Sequence, residues 1–156
     1  APGLERKVLA PIRMIPVVGP QHALASVRGR VPTERLADAI QIVLSERIAS
    51  GTADQAVLSP PTWRVGDLHT KHRMLRAGLG WGNLPEHLVR DDLRGKKLVA
   101  IRPAAWGEDE NQLYLSVIYR SDTTLGPAHQ WILAQLEAFD FRAAPKRRRR
   151  RAQTIS

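Results

Sequence analysis

The hydrophobic and polar positions of residues 63–85 predict a strand, a helix and a second strand in close succession. Trp63–Val65 predicts a short strand, and Asp67 can accept hydrogen bonds from the free N–H groups of a first helical turn. Four of the residues that follow lie at i, i+4, i+7 and i+11, namely Leu68, His72, Leu75 and Leu79. Because that spacing is one helical face, we expect a helix that begins at Leu68.

Glycines mark the end of this helix. Gly78 and Gly80 tolerate positive φ, so the helix is expected to stop there. Trp81–Leu84 then predicts a short strand. Pro85 predicts the start of another helix, because the first helical position needs no N–H group.

The segments before this region also predict strands and a helix. Arg13–Val18 is an apolar run, and Pro16 inside it indicates an edge strand or a crossing between sheets. Thr33 is expected to cap a short helix through Ala39. Ile40–Leu44 is rich in β-branched residues and predicts a buried strand.

The C-terminal part continues the alternation. Lys97–Ile101 and Leu113–Tyr119 predict strands, and residues 50–62 and 103–112 predict loops. Residues 127–139 predict an amphipathic helix with one apolar face, formed by Ala128, Trp131, Ile132, Leu136 and Phe139. Alternating strands and helices predict an α/β fold with a mainly parallel sheet.

Three stretches of the sequence resemble one family. They are QHALA at 21–25, AGLGWGNLP at 77–85 and LGPAHQWILAQL at 125–136. The chain resembles the effector-binding domain of LysR-type transcriptional regulators, although Ala23 stands where that family usually has Pro. The resemblance implies a type 2 periplasmic-binding-protein-like fold, with one complete lobe and part of the second.

The resemblance also implies a division of the chain. Residues 1–18 would be a crossing segment from the first lobe, and residues 19–100 the second lobe. Residues 101–143 would be a crossing strand and the C-terminal part of the first lobe, and residues 144–156 a disordered basic tail. The family's N-terminal winged helix-turn-helix is not visible, so we expect a fragment of a longer regulator.

Charge and composition narrow the possible functions. Six of the 24 basic residues form the block Lys146–Arg151, so the remaining chain carries only +3 of the net +9. This block could bind nucleic acid non-specifically, although a solvated tail is the commoner fate of such blocks. The absence of Cys excludes disulfides and thiolate metal sites. No apolar run approaches the roughly 20 residues of a membrane span.

The candidate ligand residues follow two predicted strands. Ligands of open α/β sheets bind beyond the carboxyl ends of the strands, where the start of a helix also favours an anion. The resemblance implies that the ligand is a small effector, often a carboxylate. The predicted effector-binding residues are Ser45, Glu46, Arg47, Asp67, Leu68, His69, Thr70 and Trp81.

Other chemistry has weaker support in the sequence. Gly78-x-Gly80-x-Gly82 could suggest a phosphate cradle, but a tight helix-to-strand turn explains it better. His69 and His72 could share a metal, but no third ligand has a suitable spacing. We therefore expect no catalytic residues, metal or cofactor, and no enzyme activity.

The resemblance implies specific partners and a location. They are a small-molecule effector, a second copy or three further copies of the chain, and DNA bound through the winged helix-turn-helix. The protein would be cytoplasmic, with no membrane partner. The alternative is a solute-binding protein of a transport system with the same fold.

Overall fold

The computed structural model describes residues 3–45, 61–106, 111–122 and 124–141. The described strands are β1 (Leu4–Val18), β2 (Gln41–Leu44), β3 (Thr62–Val65), β4 (Trp81–Pro85), β5 (Val99–Ala100) and β6 (Gln112–Arg120). The described α-helices are α1 (Thr33–Ala37), α2 (Leu68–Arg76), α3 (Glu86–Arg94) and α4 (Pro127–Ala138), with 3-10 turns at Ala23–Ser26 and Ala104–Trp106. The predicted tail and most of the predicted 50–62 loop lie outside the described residues.

The strands form one mixed sheet rather than a mainly parallel one. Its order is β3-β2-β4-β1-β5, and β6 also pairs with β1. Strand β2 is parallel to β3 and β4, whereas β1 is antiparallel to β4 and β5. The connections β3–α2–β4 and β4–α3–β5 join parallel strands, whereas β1 is joined to β2 through α1 and runs antiparallel to it.

Two hydrophobic cores lie on opposite faces of this sheet. Successive strand residues point to opposite faces, so the neighbours Val17 and Val18 belong to different cores. The first core lies under α2 and α3 and contains Val17, Ile42, Leu75, Leu84, Val89 and Leu98. The second lies under α1 and the first 3-10 turn and contains Val18, Leu24, Val31, Leu36, Trp81 and Ile101.

The predicted helix after Asp67 is confirmed, with two corrections at its end. Gly78 has φ +77°, and the helix ends just before it. Leu79 therefore leaves the helical face, and its side chain is exposed. Gly80 has no positive φ. Its role is close packing, because a Cβ there would lie 2.4 Å from the carbonyl oxygen of Ile40.

Of the two alternatives predicted for residues 13–18, the edge strand is wrong, because β1 pairs with β4 and β5. The crossing segment stays a prediction. The carbonyl of Pro16 accepts a hydrogen bond from Ile101 N–H, one residue beyond the end of β5. Because the N and the carbonyl of a strand residue face the same side, the missing N–H of Pro16 lies past the paired part of β5. Thr33 does not cap α1. Pro32 holds the N-cap position without a side-chain bond, and Thr33 is the first helical residue.

The chain divides into two compact units. The larger unit is Pro11–Tyr114, and the smaller is Ala1–Ala10 with Leu115–Ser156. The predicted lobe of residues 19–100 lies within the larger unit, and the assignment of lobes stays a prediction. In the smaller unit, Ser121 N–H donates to Gly3 O, and Lys7 pairs with Glu137 of α4.

Candidate ligand site

The carboxyl ends of three parallel strands meet at one edge of the sheet. Leu44 of β2 is in register with Val65 of β3, and Ser45 N–H donates to Val65 O at 2.8 Å. Strand β4 runs in the same direction and ends at Pro85. We call this the carboxyl edge. It is the place where open α/β sheets bind ligands.

Asp67 and Thr70 form a closed capping unit at this edge. Thr70 N–H donates to Asp67 Oδ1 at 2.8 Å, and the Thr70 hydroxyl donates to Asp67 Oδ2 at 2.7 Å. These bonds, the hydroxyl bond foremost, hold the pKa of Asp67 below its usual value. Asp67 is therefore ionised at neutral pH.

This geometry changes the anion site that the sequence predicted at the start of α2. The carboxylate of Asp67 already takes the N–H and hydroxyl of Thr70, which were expected to be available to an effector. A ligand carboxylate placed there would also meet the negative charge of Asp67. Positive charge for an anion must come from other side chains along the carboxyl edge.

The other predicted residues lie in different environments. Ser45, His69 and Thr70 are exposed at the carboxyl edge, whereas Leu68 packs against the first core. Glu46 and Arg47 lie outside the described residues.

Trp81 does not lie at the carboxyl edge. It begins β4, at the opposite end of the strand, and its side chain is fully buried in the second core. Its ring centroid is 5.9 Å from that of Trp106. We therefore leave Trp81 out of the proposed site.

The two histidines considered as metal ligands, His69 and His72, have different environments. His72 Nε2 forms a short hydrogen bond with Asp92 Oδ2, and this bond links α2 to α3, whereas His69 is exposed. Arg76 Nε lies 3.9 Å from the other Asp92 oxygen. The described part of the chain contains no group of three or more residues that could hold a metal.

Sequence reasoning missed a buried lysine next to the predicted site. Lys71 lies on the buried face of α2, and its Cε lies 3.2 Å from where a Cβ at Gly82 would be. Burial lowers the pKa of Lys71 to about 8. A signal was present in the sequence, because Lys71 lies at i+3 from Leu68 and i−4 from Leu75, on the buried face of α2.

The glycines of the possible phosphate cradle pack against the sheet. Added Cβ atoms at Gly80 and Gly82 would lie 2.4 and 2.7 Å from the carbonyl oxygens of Ile40 and Ile42. This part of the chain is thus a tight helix-to-strand connection held against β2.

The structure and the comparisons together define the class of protein. A mixed sheet with helices on both faces matches the effector-binding domains of LysR-type regulators, which have the type 2 periplasmic-binding-protein-like fold. Residues 1–140 match the family described as LysR substrate binding domain. The chain belongs to this family.

The relatives are longer than this chain. The HTH-type transcriptional regulator AceR of Acinetobacter baumannii is 25% identical over 133 residues, which are 85% of this chain and 44% of AceR. The CcmR regulatory domain of Synechocystis PCC6803, solved in complex with 2-PG, is 17% identical with a TM-score of 0.66, over 87% of this chain and 66% of that one. The probable transcriptional regulator PA0477 of Pseudomonas aeruginosa is 16% identical with a TM-score of 0.68. The match covers 88% of this chain and 46% of PA0477.

Among the described residues, no helix combines the length and the apolar character needed to cross a membrane.

Proposed function

We propose that this chain is the effector-sensing part of a bacterial LysR-type transcriptional regulator that binds a small carboxylate. The observation that carries the proposal is the carboxyl edge, where parallel strands of a LysR-family domain end in exposed polar residues. Effector binding there would control DNA binding by a winged helix-turn-helix outside these 156 residues. The regulator would act in the cytoplasm as a homodimer or homotetramer.

The described residues assign different tasks within the proposed site. His69 can supply positive charge or a hydrogen-bond donor, and the Ser45 hydroxyl can supply a second donor. Thr70 would act through Asp67, because its hydroxyl bond holds that carboxylate against the helix end. Arg47 would supply a cation for the effector, and Glu46 would repel an anion unless it pairs with Arg47.

Two structural comparisons support a small ligand. The CcmR regulatory domain was solved in complex with 2-PG, and the effector-binding domain of QuiR in complex with shikimate. The alternative of a transport solute-binding protein is not favoured, because the matching family and the curated relative are transcriptional regulators.

A panel of small carboxylic acids, screened by thermal shift and titrated by calorimetry, tests the proposal. His69→Ala should weaken binding of a hit by roughly tenfold, because a charge-assisted hydrogen bond is lost. Thr70→Ala should weaken it less, by releasing Asp67 toward the ligand. His129→Ala is the matched control, since His129 is an exposed histidine in the smaller unit.

The same variants in the regulator should reduce the effector response in operator-binding assays without lowering DNA affinity in the absence of effector. An unchanged response in both His69→Ala and Thr70→Ala would show that the ligand binds elsewhere.

A further inference from the structure

A groove of about 610 Å³ in the larger unit is lined by residues that are far apart in the sequence. Five of its lining residues are arginines, namely Arg13, Arg30, Arg90, Arg94 and Arg102. We call it the arginine groove. Among the residues that the structure describes, its one acidic lining residue is Glu86.

The pairing of β1 explains why a groove forms here. Val17 and Val18 of β1 pair with β5, and Ile101 N–H still donates to Pro16 O. Two residues earlier in the same strand, Met14 N–H donates to Asn111 O. The partner of β1 on this side therefore changes from residue 101 to residue 111, and the groove lies beside this change of partner.

The arginines of the groove differ in their partners among the described acids. Arg13 Nη1 lies 3.5 Å from Glu86 Oε1, and Arg94 Nη1 lies 3.5 Å from an oxygen of Asp91. Both are solvent-exposed ion pairs, which contribute little. Arg90 and Arg102 have no carboxylate partner within the described part of the chain.

We propose that the arginine groove binds a small polyanion that carries at least two phosphate or carboxylate groups. Guanidinium groups suit such ligands because each can donate two parallel hydrogen bonds to one oxyanion. The groove volume lies within the roughly 300–1,000 Å³ typical of small-molecule sites. Leu93, Ile101 and Trp106 supply apolar surface for the body of the ligand.

This site is separate from the proposed effector site and does not depend on it. The predicted effector residues follow β2 and β3, whereas the groove is lined mainly by β1, α3 and residues 100–106, and the two sets share no residue. A concave groove also favours a small molecule over a nucleic-acid duplex.

Calorimetric titration of the 156-residue chain with pyrophosphate and with citrate tests the proposal, with acetate as the single-charge comparison. Arg90→Gln/Arg102→Gln should weaken binding of the preferred polyanion by roughly tenfold or more. The control Arg28→Gln/Arg73→Gln removes the same charge from exposed arginines outside the groove and should change binding less than about twofold. Tighter pyrophosphate binding would identify a phosphate ligand, and tighter citrate binding a carboxylate ligand.

Two further variants sharpen the test. Arg90→Lys/Arg102→Lys keeps the charge and should still weaken binding, because the forked geometry is lost. In the sequence, Glu108, Asp109 and Glu110 separate the lining residues Trp106 and Asn111. Neutralising these three acids removes three negative charges from the segment that joins the two lining residues in the sequence, and should tighten polyanion binding.

The proposal is overturned if neither polyanion binds the wild-type chain or the acid-neutralised variant. Equal weakening in the Arg28/Arg73 control would also overturn it, because binding would then follow net charge alone. Displacement of pyrophosphate by a DNA duplex, with the same dependence on Arg90 and Arg102, would instead make the groove a nucleic-acid surface. Thermal midpoints of all variants confirm that each is folded.

Discussion

The two units of this chain differ in the burial of their hydrophobic residues. Every buried hydrophobic residue of the described chain belongs to the larger unit, and the described residues of the smaller unit include none that is buried. Two tryptophans show the contrast, because Trp81 in the larger unit is 0% exposed and Trp131 in the smaller unit is 64% exposed.

The number of layers explains the difference. In the larger unit the sheet has helices on both faces, so side chains that point to either face of a strand can be buried. In the described part of the smaller unit, one helix accompanies a two-stranded ribbon, and Ile118, Trp131 and Phe139 are exposed. An apolar face in a helix sequence therefore indicates that this face favours burial, but it does not show which part of the protein, or which partner, covers the face.

The largest expected effect comes from exchanging the two tryptophans for alanine. Trp81→Ala should lower the free energy of unfolding by about 3–5 kcal/mol, because it opens a cavity in the second core. Trp131→Ala should change it by about 0.5 kcal/mol or less, because that side chain is already solvated. Urea unfolding at low micromolar concentration, followed by circular dichroism, measures both, and equal losses would contradict the comparison.

A pair of glycines tests how tightly the larger unit is packed. Gly80→Ala should lower the free energy of unfolding by about 1–3 kcal/mol, since its Cβ would meet the Ile40 carbonyl at 2.4 Å. Gly66→Ala is the control, because a Cβ there would meet no atom within 4 Å. Similar thermal midpoints for the two variants would show that β2 can move away from β4.

Two lysines extend the comparison to charge. Burial lowers the pKa of Lys71 from 10.5 to about 8, whereas the hydrogen bond to Glu137 raises that of the exposed Lys7. Between pH 8 and 10.5 the unfolded chain holds the Lys71 proton more tightly, so stability should rise with pH.

Lys71→Met should abolish this rise and increase the free energy of unfolding at pH 7 by about 1–3 kcal/mol. Lys7→Met should preserve the rise. Denaturant melts across this pH range measure both variants, and a flat profile in the wild-type chain would be inconsistent with a buried ammonium.

The smallest effect on folding is expected from a change that alters association. The exposed apolar side chains of α4 would be covered in a dimer or larger oligomer, so Trp131→Ser/Phe139→Ser should shift the chain toward monomer. Leu79→Ser, an exposed apolar residue of the larger unit, should leave association unchanged. Sedimentation of the wild-type chain as a monomer at high micromolar concentration would rule out this form of association.

Local signals in the sequence were sufficient for much of the secondary structure. The helix after Asp67, its cap and its end at Gly78 depend on residues within a few positions of each other, and these predictions are confirmed. The family could also be recognised from short stretches, because its characteristic turns are local.

Tertiary packing decided the rest, since it joins residues that no short stretch contains. It buried Trp81, which the sequence had suggested as an effector residue, because the strand β4 is covered on both faces. It gave Gly80 its role through the carbonyl of Ile40, which immediately precedes β2. The arginine groove depends on a change of strand partner along β1, so its five arginines become neighbours only in the folded chain.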